Sequence, residues 1–174
     1  GGVYRSVDSG RTWARFNKGI EWDVRIGHIF ECQGEILISS SANHQYQLAA
    51  DKHSWVRKLN ALNSPELVQF AILGDVIFSR NNQGRIFRSD NLAASWQEIT
   101  ALPAQSTGLA TDGTSLFLAT PIGMFTSDIA ATHWTEIPQV LPNKNFDFLR
   151  GADGYLIMGA GSHVYIKPPG QPLK

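Results

Sequence analysis

The stretch SVDSGRTW, residues 6–13, is the first of four similar phrases that each end on a tryptophan. The others are LAADKHSW at residues 48–55, SDNLAASW at 89–96 and SDIAATHW at 127–134. Their tryptophans lie 42, 41 and 38 residues apart. A period of about 40 residues is typical of proteins built from similar units that stack on one another.

Each repeat unit contains segments with the composition of β-strands. First strands are predicted at residues 25–31, 68–73, 107–111 and 146–150, each followed by a turn marked by Gly or Asp. The apolar runs EILISS, DVIFSR, SLFLAT and YLIMGA come next, and short runs of this kind suit strands that are buried on both faces. Third strands follow in HQYQL, GRIFRS, GMFTS and HVYIK, and GGVYRS at the N-terminus matches them. A fourth strand begins at each repeated tryptophan.

The fold predicted from this pattern is an all-β, single-domain β-propeller over residues 1–174, since four strands in about 40 residues make one blade and no segment has helical spacing. The units fall at residues 1–17, 24–60, 67–100, 106–138 and 145–167. The first has two strands and the last has three, so we expect between four and five blades. Both GGVYRS and HVYIK align with the third strand of a blade, so they cannot complete one blade together. The alternatives are a small closed ring, an incomplete or larger propeller, and open ends covered by a second copy.

The first phrase is a complete S-x-D-x-G-x-T-W motif, formed by Ser6, Asp8, Gly10, Thr12 and Trp13. The chain therefore resembles the Asp-box propellers, which carry the bacterial neuraminidase (BNR) repeat. It is most like the photosystem II stability and assembly factors and the sialidase-like members. The resemblance implies that the boxes are structural turns between third and fourth strands, on the side away from the usual ligand site. It also favours an extracytoplasmic or periplasmic location.

The later copies of the box keep their tryptophans, Trp55, Trp96 and Trp134, but lose other positions. The Asp place holds Ala50, Asn91 and Ile129, and the Gly place of the last two boxes holds Ala93 and Ala131. We expect each repeated indole to be buried between neighbouring sheets, with its N–H bonded to a carbonyl.

Charge and composition exclude several partners. Lys plus Arg and Asp plus Glu number 15 each, so the formal net charge is zero, which argues against nucleic acid and anionic membranes as partners. No apolar run approaches the length of a membrane span, so no membrane insertion is predicted. The single cysteine, Cys32, has no partner for an internal disulfide and is predicted to be a small buried apolar residue.

No complete catalytic or metal-binding set is present in the sequence. A sialidase would need an arginine cluster and a Tyr nucleophile, and the F/Y-R-I-P motif of that family is missing. The carboxylates outside the boxes and short turns, Glu21, Asp23, Glu66 and Asp147, show no pairing that would indicate a glycosidase. The five histidines lack HxH or HExxH spacing, and no phosphate-binding loop is found. We therefore predict no catalytic residue, metal or cofactor.

Binding residues are predicted on the loops between second and third strands and on the loops that join successive blades. Trp22 is the one tryptophan outside the repeat, and it is the strongest candidate for an aromatic anchor. The full set is Trp22, Arg25, His44, Arg80, Asn81 and Asn82. The function predicted is a non-enzymatic binding or scaffold propeller with a protein partner. The alternatives are a glycan-binding or glycoside-hydrolase-related propeller and a structural segment of a larger one, and self-association through open blade edges is a further expectation.

Overall fold

The computed structural model describes residues 2–40, 44–58, 67–138 and 146–171. In these residues it contains 17 strands and no helix, arranged as five antiparallel sheets in chain order. The first sheet is a pair, β1 (Tyr4–Arg5) with β2 (Ala14–Arg15). It corresponds to the third and fourth strands of the predicted unit.

Three complete four-stranded sheets follow the pair. The first holds β3 (Ile26–Cys32), β4 (Glu35–Ser40), β5 (Gln45–Leu48) and β6 (Trp55–Lys58). The second holds β7 (Leu67–Leu73), β8 (Val76–Asn81), β9 (Ile86–Ser89) and β10 (Gln97–Ile99). The third holds β11 (Gly108–Thr111), β12 (Leu116–Thr120), β13 (Gly123–Ser127) and β14 (Thr135–Glu136). The last sheet has three strands, β15 (Phe148–Ala152), β16 (Tyr155–Ala160) and β17 (His163–Lys167).

Each four-stranded sheet is a meander in which every strand pairs with its sequence neighbour. The first strands lie side by side in the order β3, β7, β11 and β15. Buried clusters lie between successive sheets, as where Leu118 of β12 packs with Phe78 of β8. Sheets that meet face to face with their first strands innermost form a β-propeller, so the predicted fold class is confirmed. The two end sheets of the described chain are incomplete.

The box turns keep one backbone conformation even where the motif has decayed. In the first box the Asp8 carboxylate accepts hydrogen bonds from the Thr12 N–H at 2.9 Å and from the Thr12 hydroxyl at 2.6 Å. The Gly place has a positive φ in all four boxes, at Gly10 (85°), Lys52 (57°), Ala93 (63°) and Ala131 (53°). Glycine adopts this region without steric cost. In the other three boxes the N–H of the residue at this place bonds within its own turn, to Ala49 O, Ser89 Oγ and Asp128 Oδ1 respectively.

The expectation that every repeated indole is buried between sheets is wrong for one position. Trp55 is buried and donates its indole N–H to Phe16 O at 2.8 Å, as predicted. Trp96 and Trp134 are half-buried against inter-sheet clusters, but the expected bond from the indole N–H to a carbonyl is absent at both, since their Nε1 atoms have no hydrogen-bond partner. Trp13 is 63% exposed, although its N–H does bond to Gly10 O at 3.0 Å. The reason is that no sheet precedes the β1–β2 pair in the part of the chain that the structure describes.

Cys32 is buried, and burial together with the nearby Asp75 carboxylate raises the pKa of its thiol. No helix among the described residues has the length and apolar character that a membrane crossing requires.

Candidate functional site

The described parts of the loops expected to form a binding rim lie at one end of the sheets. Glu21, on the loop between β2 and β3, contacts His44, the residue before β5, with 3.2 Å between Oε2 and Nδ1. One sheet further along, Arg80 Nε donates to Ser106 O at 2.9 Å. In the last sheet the N–H of Gly161 donates to the Asp147 carboxylate at 2.8 Å. In three of the sheets the segment between the second and third strands therefore contacts a loop that joins its sheet to a neighbouring one.

Trp22 lies at the tip of the loop between β2 and β3 and is 96% exposed. It is a central residue of the turn closed by the Val24 N–H and Glu21 O at 3.4 Å. Val24 is buried and anchors the far side of this turn. The loop thus holds a large aromatic side chain in solvent on a backbone that is fixed at its base.

The base of the Trp22 loop is fixed by close backbone packing. The N–H of Ile20 bonds to Asn17 O at 2.9 Å, and the N–H of Trp55 bonds to Lys18 O at 2.8 Å. Gly19 has a φ of 91°, and a Cβ there would stand 1.9 Å from Trp55 O. Only glycine fits such a backbone approach, so the loop cannot shift without disturbing β6.

The Glu21 carboxylate contacts both Arg57 and His44. Arg57 Nη1 donates to its Oε1 at 2.7 Å, while His44 lies against the other carboxylate oxygen. Burial and the Glu21 carboxylate raise the pKa of Tyr46. A hollow of about 190 Å³ opens beside these groups and is lined by Asn17, Ile20, Glu21, Trp22 and other loop residues. The site therefore presents the flat indole of Trp22 next to a negatively charged group, the Glu21 carboxylate, and a positively charged group, the Arg57 guanidinium.

The predicted residues of the second sheet form a separate cluster. Asn81 is buried, and its Oδ1 accepts the N–H groups of Gln83 at 2.9 Å and Arg85 at 3.0 Å, so it shapes its own turn. Arg80 is half-buried and bound to Ser106 O, and burial lowers the pKa of its guanidinium. Asn82 is exposed at the tip of this turn.

The structure places His44 against Glu21, the residue before Trp22, and Arg25 is exposed one residue beyond the turn. Arg57 was missed by the sequence analysis. The signal that could have found it is the pairing of Tyr46 with Arg57 across β5 and β6, which places Arg57 near the turn that carries His44. The predicted rim segments at residues 41–43, 60–66 and 139–145 lie outside the described residues.

No group of three or more His, Cys, Asp or Glu side chains in the described ranges could hold a metal ion. The ion pair nearest the candidate site, Glu21 with Arg57, has both side chains more than two-fifths exposed, so it contributes little to stability. These groups remain accessible to a partner.

The sheets and loops define a protein of the β-propeller class. Among solved structures the chain is similar to YCF48 bound to a D1 peptide, with 16% identity and a TM-score of 0.63 over 95% of this chain and 56% of that one. It is also similar to YCF48 from Cyanidioschyzon merolae, with 10% identity and a TM-score of 0.59 over 86% and 55% of the two chains. Human WBSCR16 aligns with 12% identity and a TM-score of 0.61 over 84% and 47%.

The predicted resemblance to assembly-factor propellers is confirmed at the level of the fold. The chain spans about half the length of each of these three proteins. No protein-family model matches the sequence, and no curated protein matches it either.

Proposed function

We propose that this chain is a non-enzymatic binding propeller, similar in kind to the assembly factors that its sequence resembles. Its partner is a polypeptide, which binds at the loop end of the first complete sheet. The observation that carries this proposal is Trp22, exposed on a turn whose base is fixed by Val24 and Gly19. A rigid exposed indole loses little conformational entropy on binding, and tryptophan is enriched among residues that dominate interface energies.

The chemistry around Trp22 supports a peptide partner. The indole face would cover an apolar side chain, while Glu21 and Arg57 offer an acceptor and donors for backbone amides and carbonyls. A similar fold in YCF48 was solved with a D1 peptide. Arg25 and Asn82, both exposed at the same end of the sheets, are proposed as outer contacts.

A phage-displayed library of random peptides, selected on the purified chain, tests this function. We expect enriched peptides to lose at least about tenfold in affinity on Trp22→Ala, which corresponds to about 1.4 kcal/mol. Trp13→Ala is the matched control, because Trp13 is also exposed but lies at the box end of β2. Failure to enrich any peptide, or equal binding by the Trp22→Ala variant, would refute the proposal.

A glycan ligand is the second candidate, favoured by the same exposed indole beside the Glu21 carboxylate and the hollow that includes Asn17. Sugar rings pack against aromatic faces, and their hydroxyls bond to carboxylate and amide groups. Binding to a glycan array that disappears in Trp22→Ala would favour this candidate over the peptide. Hydrolysis of chromogenic glycosides would indicate the glycoside-hydrolase alternative.

A further inference from the structure

A groove of about 200 Å³ opens between the second and third complete sheets, beside the outer strand β10. Each of these sheets has a neighbouring sheet on both sides. Two residues that line the groove are buried, Ile99 of β10 and Ala131 of the fourth box turn. At about 30 Å³ per water molecule the groove has room for roughly six waters, so it fits a group about as large as one amino-acid side chain. Its polar lining residues are Arg88, Gln97, Glu98, Thr100 and Thr132.

Arg88 lies on β9 and is half-buried, and its guanidinium makes no hydrogen bond or ion pair with any residue that the structure describes. Arginine carries five N–H donors in one plane and stays charged at every pH at which proteins fold. Partial burial without a partner removes water from this charge and costs free energy. A ligand that accepts hydrogen bonds from these donors would recover that cost.

The equivalent side chains of the neighbouring sheets are satisfied within the chain. The positions equivalent to Arg88 are Gln47 in the first complete sheet and Thr126 in the third, since each pairs with the middle of the second strand of its sheet. Gln47 Oε1 accepts a hydrogen bond from Lys58 Nζ at 3.0 Å. The Thr126 hydroxyl donates to Leu116 O at 3.2 Å. Arg88 is therefore the member of this set that has no partner within the described chain.

The carboxylates close to the groove have other partners. Glu98 lines the groove, but its two oxygens accept hydrogen bonds from Arg85 at 2.6 and 2.5 Å. Asp128, in the fourth box, uses its Oδ1 to accept the N–H groups of Ala130 at 3.0 Å and Ala131 at 3.3 Å. Neither carboxylate bonds to the guanidinium in the groove, so its positive charge is available to a ligand.

We propose that this groove binds a carboxylate group, supplied by an acidic side chain of a polypeptide or by a free organic acid. The Arg88 guanidinium donates two parallel hydrogen bonds to the two carboxylate oxygens, a geometry that its planar fork matches. Gln97, which pairs with Arg88 across β9 and β10, and the Thr100 hydroxyl supply further donors. The short chain behind the carboxylate packs on Ile99 and Ala131.

Titration with sodium butanoate, followed by ¹H–¹⁵N NMR at constant ionic strength set by sodium chloride, tests the site. We expect saturable shifts of the Arg88 Nε–H signal and of the backbone amides of Gln97 and Ala131. Arg88→Gln should weaken binding at least about tenfold, because the charge-assisted hydrogen bonds are lost. Arg11→Gln is the matched control, since Arg11 is an exposed arginine of another box turn, and it should bind butanoate as the wild type does.

Gln97→Glu supplies a second test that leaves Arg88 in place. The substitution puts a carboxylate opposite Arg88 at an exposed position, so folding of the core is not affected. The new carboxylate should pair with the guanidinium, shift the Arg88 Nε–H signal in the absence of ligand, and weaken butanoate binding by roughly fivefold. Gln97→Met changes the same position without adding charge and should retain most of the affinity.

Two short peptides, acetyl-Ala-Glu-Ala-amide and its counterpart with Gln, distinguish the sources of the carboxylate. Tighter binding of the Glu peptide than of butanoate supports the site with a polypeptide ligand, and the reverse supports it with a free organic acid. The proposal is overturned if no shift saturates, if Arg88→Gln binds as tightly as the wild type, or if the Gln peptide binds equally well. Trp22→Ala should leave butanoate binding unchanged, so a failure of peptide selection at Trp22 is independent of these results.

Discussion

The side-chain amide of Gln69 exchanges two hydrogen bonds with the backbone of Leu109. Its Nε2 donates to Leu109 O at 2.6 Å, and the Leu109 N–H donates to its Oε1 at 3.2 Å. The second Nε2 hydrogen reaches Leu149 O at 2.9 Å. One buried side chain thus connects the innermost strands β7, β11 and β15. Only an amide side chain has both the donors and the acceptor that these backbone groups need.

We predict that Gln69→Met lowers the free energy of unfolding by about 3 kcal/mol. The substitution keeps the volume but leaves three backbone groups of Leu109 and Leu149 without partners, and each buried unsatisfied group costs about 1–3 kcal/mol. Urea denaturation followed by tryptophan fluorescence measures the change. Gln97→Met, at an exposed position of β10, is the control and should change stability little. Equal stability of the two variants would contradict this role of Gln69.

The buried ion pair between Lys167 and Asp112 predicts a loss of stability in acid. Lys167 Nζ donates to Asp112 Oδ2 at 2.7 Å, with both side chains buried. Burial raises the pKa of Asp112, but hydrogen bonds from Lys167 and Thr114 outweigh it and bring the pKa to about 2. Because the folded pKa lies below the unfolded value, the stabilisation is present above about pH 4 and is lost as the pH falls towards 2.

Asp112→Asn should therefore destabilise the chain by about 3 kcal/mol at neutral pH, since Lys167 is left as an unpaired buried charge. The difference from wild type should shrink as the pH falls towards 2, where the wild-type carboxyl is also neutral. Urea denaturation at a series of pH values measures this convergence. Asp90→Asn serves as a control at an exposed carboxylate. A constant difference at all pH values would rule out the ion pair as its cause.

The first box should tolerate Asp8→Asn but not Asp8→Ala. In the third box Asn91 already occupies the Asp place, and its Oδ1 accepts the Ser95 N–H at 2.9 Å and the Ser89 hydroxyl at 2.9 Å. We expect amide hydrogen exchange at Thr12 to be roughly fivefold faster in Asp8→Ala, the size of one lost hydrogen bond. Asp8→Asn should exchange close to the wild-type rate. Equal rates in the two variants would show that the carboxylate does not hold the turn.

Cys32 should be inert in the folded chain. Its side chain is buried, its thiol contacts Asp75 O at 3.7 Å, and its pKa is raised by burial, so little thiolate forms at neutral pH. A thiol-specific chromogenic disulfide reagent should label it at a rate limited by unfolding. Labelling should become complete within mixing time in denaturing urea. Rapid labelling of the native chain would place Cys32 in a more open environment.

The boxes show how far local sequence predicts structure. Ser6, Asp8, Gly10 and Thr12 predict their own turn, because every partner lies within a few residues. Ala131 also has local partners, since its N–H bonds to Asp128 O at 3.1 Å and to Asp128 Oδ1 at 3.3 Å, but alanine itself disfavours a positive φ. It is buried in the cluster between the second and third complete sheets, so packing adds to these local bonds in holding the turn.

The candidate site also combines residues that the sequence predicts with contacts that it does not predict. Trp22 and His44 were predicted because they interrupt the repeat or lie on its loops. Arg57 sits in the middle of a strand pattern, and its contact with Glu21 depends on how a loop from one sheet meets the edge of the next. The Asn81 amide oxygen accepts the N–H groups of Gln83 and Arg85 within its own turn, a role that the sequence does not indicate. The number of residues that separate two side chains in the sequence, such as Glu21 and Arg57, does not predict whether they are in contact.

The amino-acid sequence by itself determined the strands, their order within each unit and the positions of the box turns, since alternation, turn residues and hydrogen bonds within eight residues are local properties. Tertiary structure decided which faces are covered. Trp13 and Trp55 stand in equivalent places of the repeat, yet Trp13 is exposed and Trp55 is buried. Burial of a side chain on a sheet depends on the sheet packed against it, and Trp55 has the β1–β2 pair beside it.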